Sequence, residues 1–504
     1  MDSKITGDLN NDEQYLINTI GQGMDTCYRH LVIPALDNCG AMIVYIKGLV
    51  NTTELEDAII APLVAKMRSA RGRNQYNKTD KVEMLIDAGM SVSGVQSTQK
   101  WNEICDAIVS GDSVLFIEQC NAALILANRG WKARSIAEPT SEVETKGPKD
   151  SFVEDIMPNM ALIRRRIRDY SLRFEGFKIG DRTKTDIALV YIESLVNDSL
   201  LTEVRERLNK IKTDSILASN YIEEFIEDGS FSMFPKIEHT ERPDKAAAAI
   251  LEGRIAILVD NTPFTLIVPA VFWNFLEVPG DHYERFYVGT FWRWIRLLAI
   301  FLTLSSTSTY VLLTSFHQEM LPTSLAIKLT ADRSGVPFPA VIEALFMEII
   351  FEVMTEAGLR IPRALGQTVS IIGTLVIGQG AVLAGLVGPA LVIAVAIGAI
   401  SSFAIPSTSM STSLRLLRFP LLILSATLGI FGFLGGIIAI TLHIMSLRSF
   451  GTPFYAPISP IGKDSLKDTL YRAPRWKMTN RPDLARPKDK ARQAADLRPQ
   501  PDSQ

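Results

Sequence analysis

The fold is decided by one uncharged stretch, GQTVSIIGTLVIGQGAVLAGLVGPALVIAVAIGAISSFAI, which occupies residues 366–405. From Thr368 to Ile405 it contains no Asp, Glu, Lys, Arg or His. One membrane crossing needs about 20 apolar residues, so this length suffices for two, with a break at Gly388 and Pro389. Backbone groups in hydrocarbon must satisfy their hydrogen bonds within the segment, so we expect both crossings to be helices. The stretch predicts an integral membrane protein.

The composition excludes several classes of function. The 504 residues are 47% hydrophobic with a formal net charge of -3, an average over a polar N-terminal half and an apolar C-terminal half. The polar half contains no cluster of Lys and Arg with interleaved aromatic residues, so a nucleic-acid partner is not expected. Phosphate-binding, dinucleotide-binding, nucleophile-elbow and zinc-protease motifs are lacking, so we expect neither enzyme activity nor a cofactor. The first residues are polar and contain no apolar signal segment, so we expect the polar half to stay on the side where it is made.

The cysteines give no indication of a metal or redox site. There are four, Cys27, Cys39, Cys105 and Cys120. They have no C-x-x-C spacing and no neighbouring His cluster, which argues against zinc. Scattered free thiols are typical of a reducing compartment.

The polar half repeats itself. The matching pairs are IVYIKGLVN at 43–51 with LVYIESLVN at 189–197, and AIVSGDSVLFI at 107–117 with AILEGRIAILV at 249–259. The blocks at 107–117 and 249–259 are each followed by a turn with Asn or Asp and then by another apolar strand, at 122–127 and at 264–268. Two matching blocks in the same order predict two related α/β subdomains, each a small sheet with helices. The alternative is that strand–helix patterns recur in any α/β protein.

These patterns predict a multidomain chain. We expect two related cytosolic α/β subdomains followed by an all-α membrane domain of about four transmembrane helices plus one amphipathic or re-entrant helix. The predicted boundaries are an N-terminal lead at 1–19, subdomain 1 at 20–140, a linker at 141–154, subdomain 2 at 155–285, the transmembrane domain at 286–446 and a basic cytosolic tail at 447–504, disordered from about 474.

The linker leads into an arginine-rich helix. Pro, Gly and charged residues mark 138–150 as a connector, and the predicted helix at 153–169 follows it. The arginines are either a solvated face or a docking surface for the linker carboxylates or for a neighbouring subunit. The residues concerned are Glu138, Glu142, Glu144, Arg164, Arg165, Arg166 and Arg168, of which Glu142, Glu144 and Arg164 to Arg166 are our interface candidates.

The membrane half begins with aromatic and cationic residues between Trp273 and Arg296, which are typical of a membrane interface. Arginines before the first span favour a cytosolic N-terminal half, and the basic tail after 446 is also expected in the cytosol by the positive-inside rule. Both ends on one side require an even number of crossings. We predict four, at 295–315, 366–385, 388–405 and 419–445.

An acidic segment lies between the first two predicted spans. Residues 339–357 are apolar apart from Glu343, Glu348, Glu352 and Glu356. On a helix the last three share a face, since they are spaced by four residues. Carboxylates within a membrane usually line water, an ion path or a subunit interface. The alternative is an amphipathic helix on the membrane surface with its acids in water.

Small residues predict close helix packing in the spans. Gly432 and Gly436 form a G-x-x-x-G pattern, which lets helices approach closely in lipid. For any single glycine, packing is the favoured interpretation. Alternatively, a polar face consisting of Gln367, Ser370, Thr374 and Gln379 lines a pore.

Two long motifs resemble a known family. EPTSEVETKGPKDSFVED at 138–155, with Asn159 and RRRI at 164–167, is similar to the GerA-family spore germination proteins. So are RIPRALGQTVSI at 360–371, with Gly378 and Gln379, and KDTL at 467–470. The likeness covers about residues 10–480. The chain has Gly-Gln-Gly-Ala at 378–381 where the family pattern would give Gly-Gln-Ala-Ala.

The resemblance implies the A subunit of a nutrient germinant receptor in the inner membrane of a spore. Such subunits work with a transporter-like B subunit and a C-subunit lipoprotein. The A subunit is thought to form a homo-oligomer, possibly a pentamer, that acts as a ligand-gated cation channel. Two alternatives remain open: a non-conducting membrane scaffold, or an accessory GerA-family paralogue that amplifies germination signalling.

A mechanistic hypothesis follows from this resemblance. Copies of the helix at 366–385 surround a conduction path, in which an apolar constriction closes by dewetting. The pore and gate candidates are Gln367, Ser370, Ile371, Thr374, Leu375, Ile377 and Gly378. Rings of Glu348, Glu352 and Glu356 form an acidic mouth that attracts cations.

Overall fold

The computed structural model of the chain describes residues 5–34, 38–65, 94–130, 138–139, 141–229, 231–360, 378–462, 465–494 and 497–499. These residues form two units. The sheet unit comprises Met1–Asp228, Ile237–Pro269 and Met478–Gln504, and the helical unit comprises Gly229–Lys236 and Ala270–Lys477. The predicted order, an α/β part followed by a helical part, is confirmed. The change of unit falls after Pro269 rather than at 285.

The first sheet has five antiparallel strands in the order β1-β2-β4-β5-β3. They are β1 (Thr26–Ile33), β2 (Cys39–Ile46), β3 (Val95–Thr98), β4 (Ser113–Ile117) and β5 (Ala123–Leu126). Successive side chains of a strand point to opposite faces of the sheet. Met42 and Val44 therefore pack into one core, and Ile43 and Tyr45 into a second core on the other face.

Helices cover both faces of this sheet. Helix α1 (Leu9–Thr19) contributes Leu16 to the first core. Helix α4 (Trp101–Ser110) lies with α1 on the first face. The second face is covered by α2 (Thr52–Glu54), a π-helical turn (Leu55–Ile60) and α3 (Ala61–Ala65). Since Leu16 is fully buried, the described part of the predicted lead, residues 5–19, belongs to subdomain 1.

The second sheet repeats this topology, with the order β6-β7-β9-β10-β8. The strands are β6 (Leu172–Ile179), β7 (Thr185–Ile192), β8 (Glu238–Thr240), β9 (Ile255–Val259) and β10 (Thr265–Val268). Its helices are α5 (Ile156–Arg166), α6 (Asp198–Lys210), α7 (Ser219–Ile226) and α8 (Pro243–Leu251). The matching sequence blocks occupy equivalent strands in the two sheets. The prediction of two related α/β subdomains is therefore confirmed.

The helical unit contains seven α-helices among the described residues. They are α10 (Phe286–Ser315), α11 (Thr323–Arg333), α12 (Ala340–Arg360), α13 (Gly380–Leu383), α14 (Pro389–Phe403) and α15 (Thr408–Ser446), preceded by the short helix α9 (Gly280–Tyr283). By length and composition, α10 and α15 are able to cross a membrane, and α14 is a shorter apolar helix. The predicted span at 295–315 lies within α10. Most of the span at 366–385 falls outside the described residues, and the number of crossings stays a prediction.

Helix α15 reverses its direction at Gly429, whose backbone is non-helical (φ 59, ψ -136). Ser413 donates a hydrogen bond to the carbonyl oxygen of Met233, and the ring of His443 lies 3.0 Å from the hydroxyl of Ser232. On a straight helix residues 413 and 443 would lie about 45 Å apart. The chain therefore folds back within the predicted span at 419–445 into a hairpin of two antiparallel arms, and the 39 residues of α15 do not form one straight helix.

Glycines allow the two arms of this hairpin to pack closely. A Cβ atom on Gly436 would lie 2.6 Å from the side chain of Leu421, and one on Gly432 would run into the carbonyl oxygen of Leu424. Both contacts join residues of the second arm to residues of the first. The G-x-x-x-G pattern thus serves close packing within the chain, as its composition favours.

The carboxyl-terminal tail is ordered against the second sheet's subdomain. The backbone N–H of Lys488 donates to the carbonyl oxygen of Leu195 (2.9 Å), and Arg481 donates to that of Leu251 (3.0 Å). Arg492 pairs with Glu252 at 3.0 Å. Disorder from about residue 474, as predicted from composition, is therefore wrong for residues 474–494, because these ionic and backbone contacts offset the low hydrophobicity of the tail.

The hairpin predicts that alanine substitution lowers the stability of the chain at one glycine and leaves it unchanged at a neighbouring one. Gly432→Ala is expected to destabilise the chain by about 1–3 kcal/mol, since the methyl group would overlap the opposite arm. Gly435→Ala is the matched control, because a Cβ there meets nothing within 4 Å. Thermal unfolding of the purified chain in detergent measures both. Equal shifts in melting temperature would contradict the hairpin.

The tail contacts predict a change in hydrogen exchange. The double variant Lys488→Ala/Arg492→Ala is expected to raise amide exchange at 479–492, because both side chains anchor the tail to acidic residues of the subdomain. Lys210→Ala is the control, as its pair with Glu206 lies on an exposed helix face. Exchange mass spectrometry gives the measurement, and unchanged protection in the double variant would show that the anchors are dispensable.

Candidate functional site

The arginine-rich helix α5 joins the two subdomains. Ala161 packs into the core of subdomain 1, whereas Met160 and Ile163 pack into the core of subdomain 2. Gly48, at φ +83, gives α5 room, because a Cβ at this position would lie 3.2 Å from that of Ala161. One helix is thus shared by both cores, and any rotation between the subdomains must move it.

A buried ion pair fixes this joint. Arg164 Nε lies 2.9 Å from Asp25 Oδ2, and both side chains are 1% exposed. The guanidinium also lies over the ring of Phe174, 5.0 Å from its centroid. Met24, next to Asp25, donates its backbone N–H to the carbonyl oxygen of Phe174 at 2.9 Å. Asp25 was not apparent from the sequence, because nothing local marks it as the partner of an arginine so far along the chain.

The connector is held against subdomain 2 by a chain of charges. Glu142 pairs with Lys245 at 3.0 Å, and Lys245 also pairs with Glu238 at 3.0 Å. Glu238 in turn pairs with Arg254 at 2.6 Å. Burial alone would raise the pKa of Glu238, but Lys245 and Arg254 more than offset it and hold that pKa below its usual range. Burial likewise lowers the pKa of Lys245, yet the two carboxylates hold it above its usual range.

The other interface candidates lie apart from one another. Arg166 pairs with Asp150 at 2.5 Å, and this partner lowers the pKa of Asp150 although burial opposes it. Arg165 lines a cavity of about 460 Å³ between α5 and the loop that begins at Gly48. Glu144 is half-buried in the connector. Arg164 and Arg166 thus pair with Asp25 and with Asp150 of the connector rather than with the linker glutamates. Docking of this helix onto a neighbouring subunit stays a prediction.

Charged side chains also meet inside the apolar helical unit. Arg418 of α15 is fully buried, with its Nη2 atom 2.7 Å from Glu348 and 3.2 Å from Glu352 of α12. Thr307 of α10 donates its hydroxyl to Glu348. Arg415 adds a second guanidinium, 3.7 Å from Glu352. We call Arg415, Arg418, Glu348, Glu352 and Thr307 the helix lock, since they join three helices.

The packing around Arg418 leaves room for its guanidinium. Arg418 lies over the ring of Phe351, 5.8 Å from the centroid. A Cβ on Gly398 of α14 would lie 3.3 Å from Arg418 Nη1 and 2.5 Å from the hydroxyl oxygen of Ser306. The bare glycine thus lets α14 and α10 close over the arginine. Arg418 was not among the residues predicted from the sequence, although a lone charge beside an apolar run requires a partner.

The three acidic mouth candidates differ in exposure. The Glu348 side chain is 0% exposed, that of Glu352 is 27% exposed and that of Glu356 is 61% exposed. Glu356 pairs with Arg360, one turn further along α12, at 2.6 Å. Their shared helix face was predicted from their spacing. In the single chain, however, Glu348 faces Arg418 rather than an open surface, because an unpaired carboxylate would be costly in apolar surroundings.

A second buried carboxylate holds the segment before α14. Glu343 Oε1 lies 3.3 Å from Arg333 Nη2, and its other oxygen accepts the N–H of Gly388 at 3.0 Å. The break at Gly388 is thus tied to α12 and to the end of α11. This explains why Glu343 points away from the other three acids.

Arginines at the start of α10 bind inside the chain. Asp281 pairs with Arg293 at 3.2 Å and with Arg296 at 2.6 Å. Arg293 also pairs with Asp468 at 2.9 Å, which gives the KDTL motif a structural role. These arginines were predicted to lie at the membrane interface, and two of them, Arg293 and Arg296, are paired with aspartates of the chain itself.

Most of the pore and gate candidates lie outside the described residues. These are Gln367, Ser370, Ile371, Thr374, Leu375 and Ile377. Gly378 is described, and a Cβ there would meet nothing within 4 Å. The same holds for Gly380, so the departure from the family pattern creates no close contact in the single chain. No group of three or more His, Cys, Asp or Glu residues in the described part of the chain is arranged to hold a metal ion.

Known proteins resemble the chain over almost its whole length. The family described as Bacillus/Clostridium GerA spore germination protein matches residues 14–484. Spore germination protein KA of Bacillus subtilis (strain 168) is 42% identical over 482 residues, which cover 96% of this chain and 87% of that protein. Spore germination protein B1 of the same organism is 36% identical over 490 residues, or 97% and 100% of the two chains.

One solved structure is also similar to part of the chain. It is the N-terminal domain of the A subunit of the Bacillus megaterium spore germinant receptor GerK3. The sequences are 35% identical, and the match covers 54% of this chain and 98% of that domain with a TM-score of 0.43.

The subdomain joint predicts a large loss of stability. Arg164→Met is expected to destabilise the sheet unit by about 3–5 kcal/mol, because Asp25 would stay buried without its partner. Arg166→Met is the control, since its pair with Asp150 is more exposed and costs less to break. Urea unfolding of each full-length variant, monitored by the fluorescence of the sheet unit, compares their losses in free energy of unfolding. Equal losses would show that the joint depends on packing alone.

Proposed function

The chain belongs to the Bacillus/Clostridium GerA spore germination protein family, and from that premise we propose that it is the A subunit of a spore germinant receptor. The single observation that supports this proposal is the family match from residue 14 to residue 484, which includes both units. Relatives that match almost the whole chain bear the name spore germination protein. The solved GerK3 domain is named as part of an A subunit. An enzymatic role is not proposed.

The proposal extends to conduction of cations. Several copies of the chain, possibly five, surround a path lined by the uncharged segment at 366–385. The helix lock is compatible with this arrangement, because it neutralises Arg418 and Glu348 within one protomer, so neither charge has to line the path. The constriction consists of Ile371, Leu375 and Ile377, and it closes by dewetting. Gln367, Ser370, Thr374 and Gly378 supply the polar and small positions of the lining.

The acidic mouth is proposed for two of the three glutamates. Glu352 and Glu356 keep some exposure in the single chain, so rings of them attract cations to the path. Glu348, which is fully buried, belongs to the helix lock only, whereas Glu352, at 27% exposed, belongs to the lock and also takes part in the mouth. The nutrient signal reaches the channel through a transporter-like B subunit and a C-subunit lipoprotein. The assembly lies in the spore inner membrane, with the sheet unit in the cytosol.

Ion flux tests the proposed gate. The chain is reconstituted in liposomes with its B and C subunits, and efflux of a monovalent cation is followed before and after nutrient addition. Ile371→Ala and Ile377→Ala are expected to raise the efflux without nutrient several-fold, since a wider and less apolar constriction stays wet. Ile393→Ala, at an exposed position on α14, is the matched control with the same change in side chain.

The outcomes separate a channel from a scaffold. A raised efflux in both gate variants, with the control unchanged, supports conduction through this segment. If neither substitution changes the nutrient-dependent efflux, this segment does not form the gate. An assembly that binds its partners but shows no efflux at all would support a non-conducting scaffold.

A further inference from the structure

Two segments of the helical unit meet at the start of α10. The guanidinium of Arg472 donates to the carbonyl oxygens of His282 at 3.2 Å and of Glu284 at 2.9 Å. The backbone N–H of Arg472 donates to the hydroxyl of Thr290 at 3.1 Å, so the contact continues onto the first turns of α10. Together the two segments form what we call the entry surface, which consists of residues 281–296 and 467–477.

The charged side chains of the entry surface differ in exposure according to their sign. The structure describes both of its segments in full. Its carboxylates are buried or half-buried, and they belong to Asp281, Glu284 and Asp468. Its exposed charged residues are all cations, namely Arg285, Arg475 and Lys477. The face that these two segments turn outward is therefore positively charged.

Aromatic rings accompany the exposed cations. The Nη1 atom of Arg285 donates to the hydroxyl of Tyr287 at 2.8 Å, and the Nζ atom of Lys477 lies over the ring of Trp476, 5.1 Å from its centroid. Trp294 is 61% exposed, and its ring N–H donates to a carbonyl oxygen of the second segment at 3.1 Å. Trp and Tyr rings with one polar end are enriched where a span enters the headgroup layer of a membrane. The entry surface thus combines positive charge with rings suited to that layer.

From this combination we infer that the entry surface binds the headgroup of an anionic lipid such as phosphatidylglycerol. Exposed cations beside a membrane span are attracted to a negatively charged leaflet, and each one adds to the attraction. A dissolved phosphate would satisfy the cations but would leave the aromatic rings in water, whereas a lipid covers both. Arg475 follows Arg472 by three residues and lies within about 11 Å of it, which keeps its charge at this surface. The inference rests on the proposed entry of α10 into the membrane and not on conduction.

Lipid retention by the full chain measures this preference. The chain is reconstituted in nanodiscs that contain equal amounts of phosphatidylglycerol and phosphatidylcholine, and native mass spectrometry counts the lipids that stay bound after extraction. More phosphatidylglycerol than phosphatidylcholine is expected to be retained, because only the former headgroup has a net negative charge. High salt before extraction is expected to lower this ratio, since it screens exposed charges.

Three double variants assign the preference to the entry surface. Arg285→Gln/Lys477→Gln removes one exposed cation from each segment, and each loss is expected to lower the ratio of phosphatidylglycerol to phosphatidylcholine about fivefold. Arg285→Lys/Lys477→Arg keeps both charges and is expected to keep the ratio. Lys178→Gln/Lys210→Gln is the matched control in the sheet unit, because it removes the same charge from side chains that are 72% and 76% exposed.

Fluorescence quenching separates this inference from the membrane location on which it rests. Bilayers with brominated acyl chains quench a tryptophan that lies at the lipid. Trp292 and Trp294, both exposed at the start of α10, are expected to be quenched by either brominated lipid. The emission of Trp476, obtained as the difference from the Trp476→Phe variant, is expected to be quenched more by brominated phosphatidylglycerol than by brominated phosphatidylcholine. If Trp292 and Trp294 are not quenched at all, the proposed membrane location fails together with the inference.

The remaining outcomes decide the inference alone. A preference for phosphatidylglycerol that the glutamine variant at 285 and 477 loses, and that the charge-conserving variant and the sheet-unit control keep, supports it. Because all of these side chains are exposed, each variant is expected to unfold at the temperature of the unmodified chain. No preference for phosphatidylglycerol would overturn the inference and leave an acidic protein surface as the occupant. A preference that the glutamine variant keeps, or that the sheet-unit control loses equally, would overturn it as well.

Discussion

A charge inside an apolar helical unit must be neutralised by its own chain, and the helical unit is built around that constraint. Arg418 is fully buried and lies between α10, α12 and α14. Burying Arg418 without Glu348 would destabilise the helical unit by far more than a surface ion pair stabilises a protein. The pair therefore fixes which faces of α12 and α15 meet. The pair of Glu343 and Arg333 does the same for α11 and for the break before α14.

The sequence predicted the features that depend on local periodicity. The repeated strand blocks predicted two related sheets, because the alternation of side chains between the two faces of a strand is visible in consecutive residues. The shared face of Glu348, Glu352 and Glu356 followed from helix geometry. Their partner Arg418 did not, since pairing between distant helices leaves no local pattern. The hairpin at Gly429 was also missed, because an apolar run with small residues has the same composition whether it is straight or folded back.

The two units solve the same problem in different surroundings. In the sheet unit, one helix belongs to both subdomain cores, and the pair of Arg164 and Asp25 fixes its position. The tail was predicted to be disordered from its composition, yet Arg492 and Lys488 bind acidic residues of subdomain 2. In each case buried or paired charges, rather than additional apolar area, determine which elements touch. Motifs that resemble those of a receptor family thus have structural roles at the joint and at the start of α10.

We propose that the uncharged segment at 366–385 faces water in the assembled receptor. Cysteine substitution at each position of this segment, followed by labelling with a membrane-impermeant thiol reagent in the open state, tests it most directly. A water-facing helix is expected to be labelled with a period of about 3.6 residues, at positions that include 367, 371, 374 and 378. Labelling at none of these positions, or only by a lipid-soluble reagent, would contradict it.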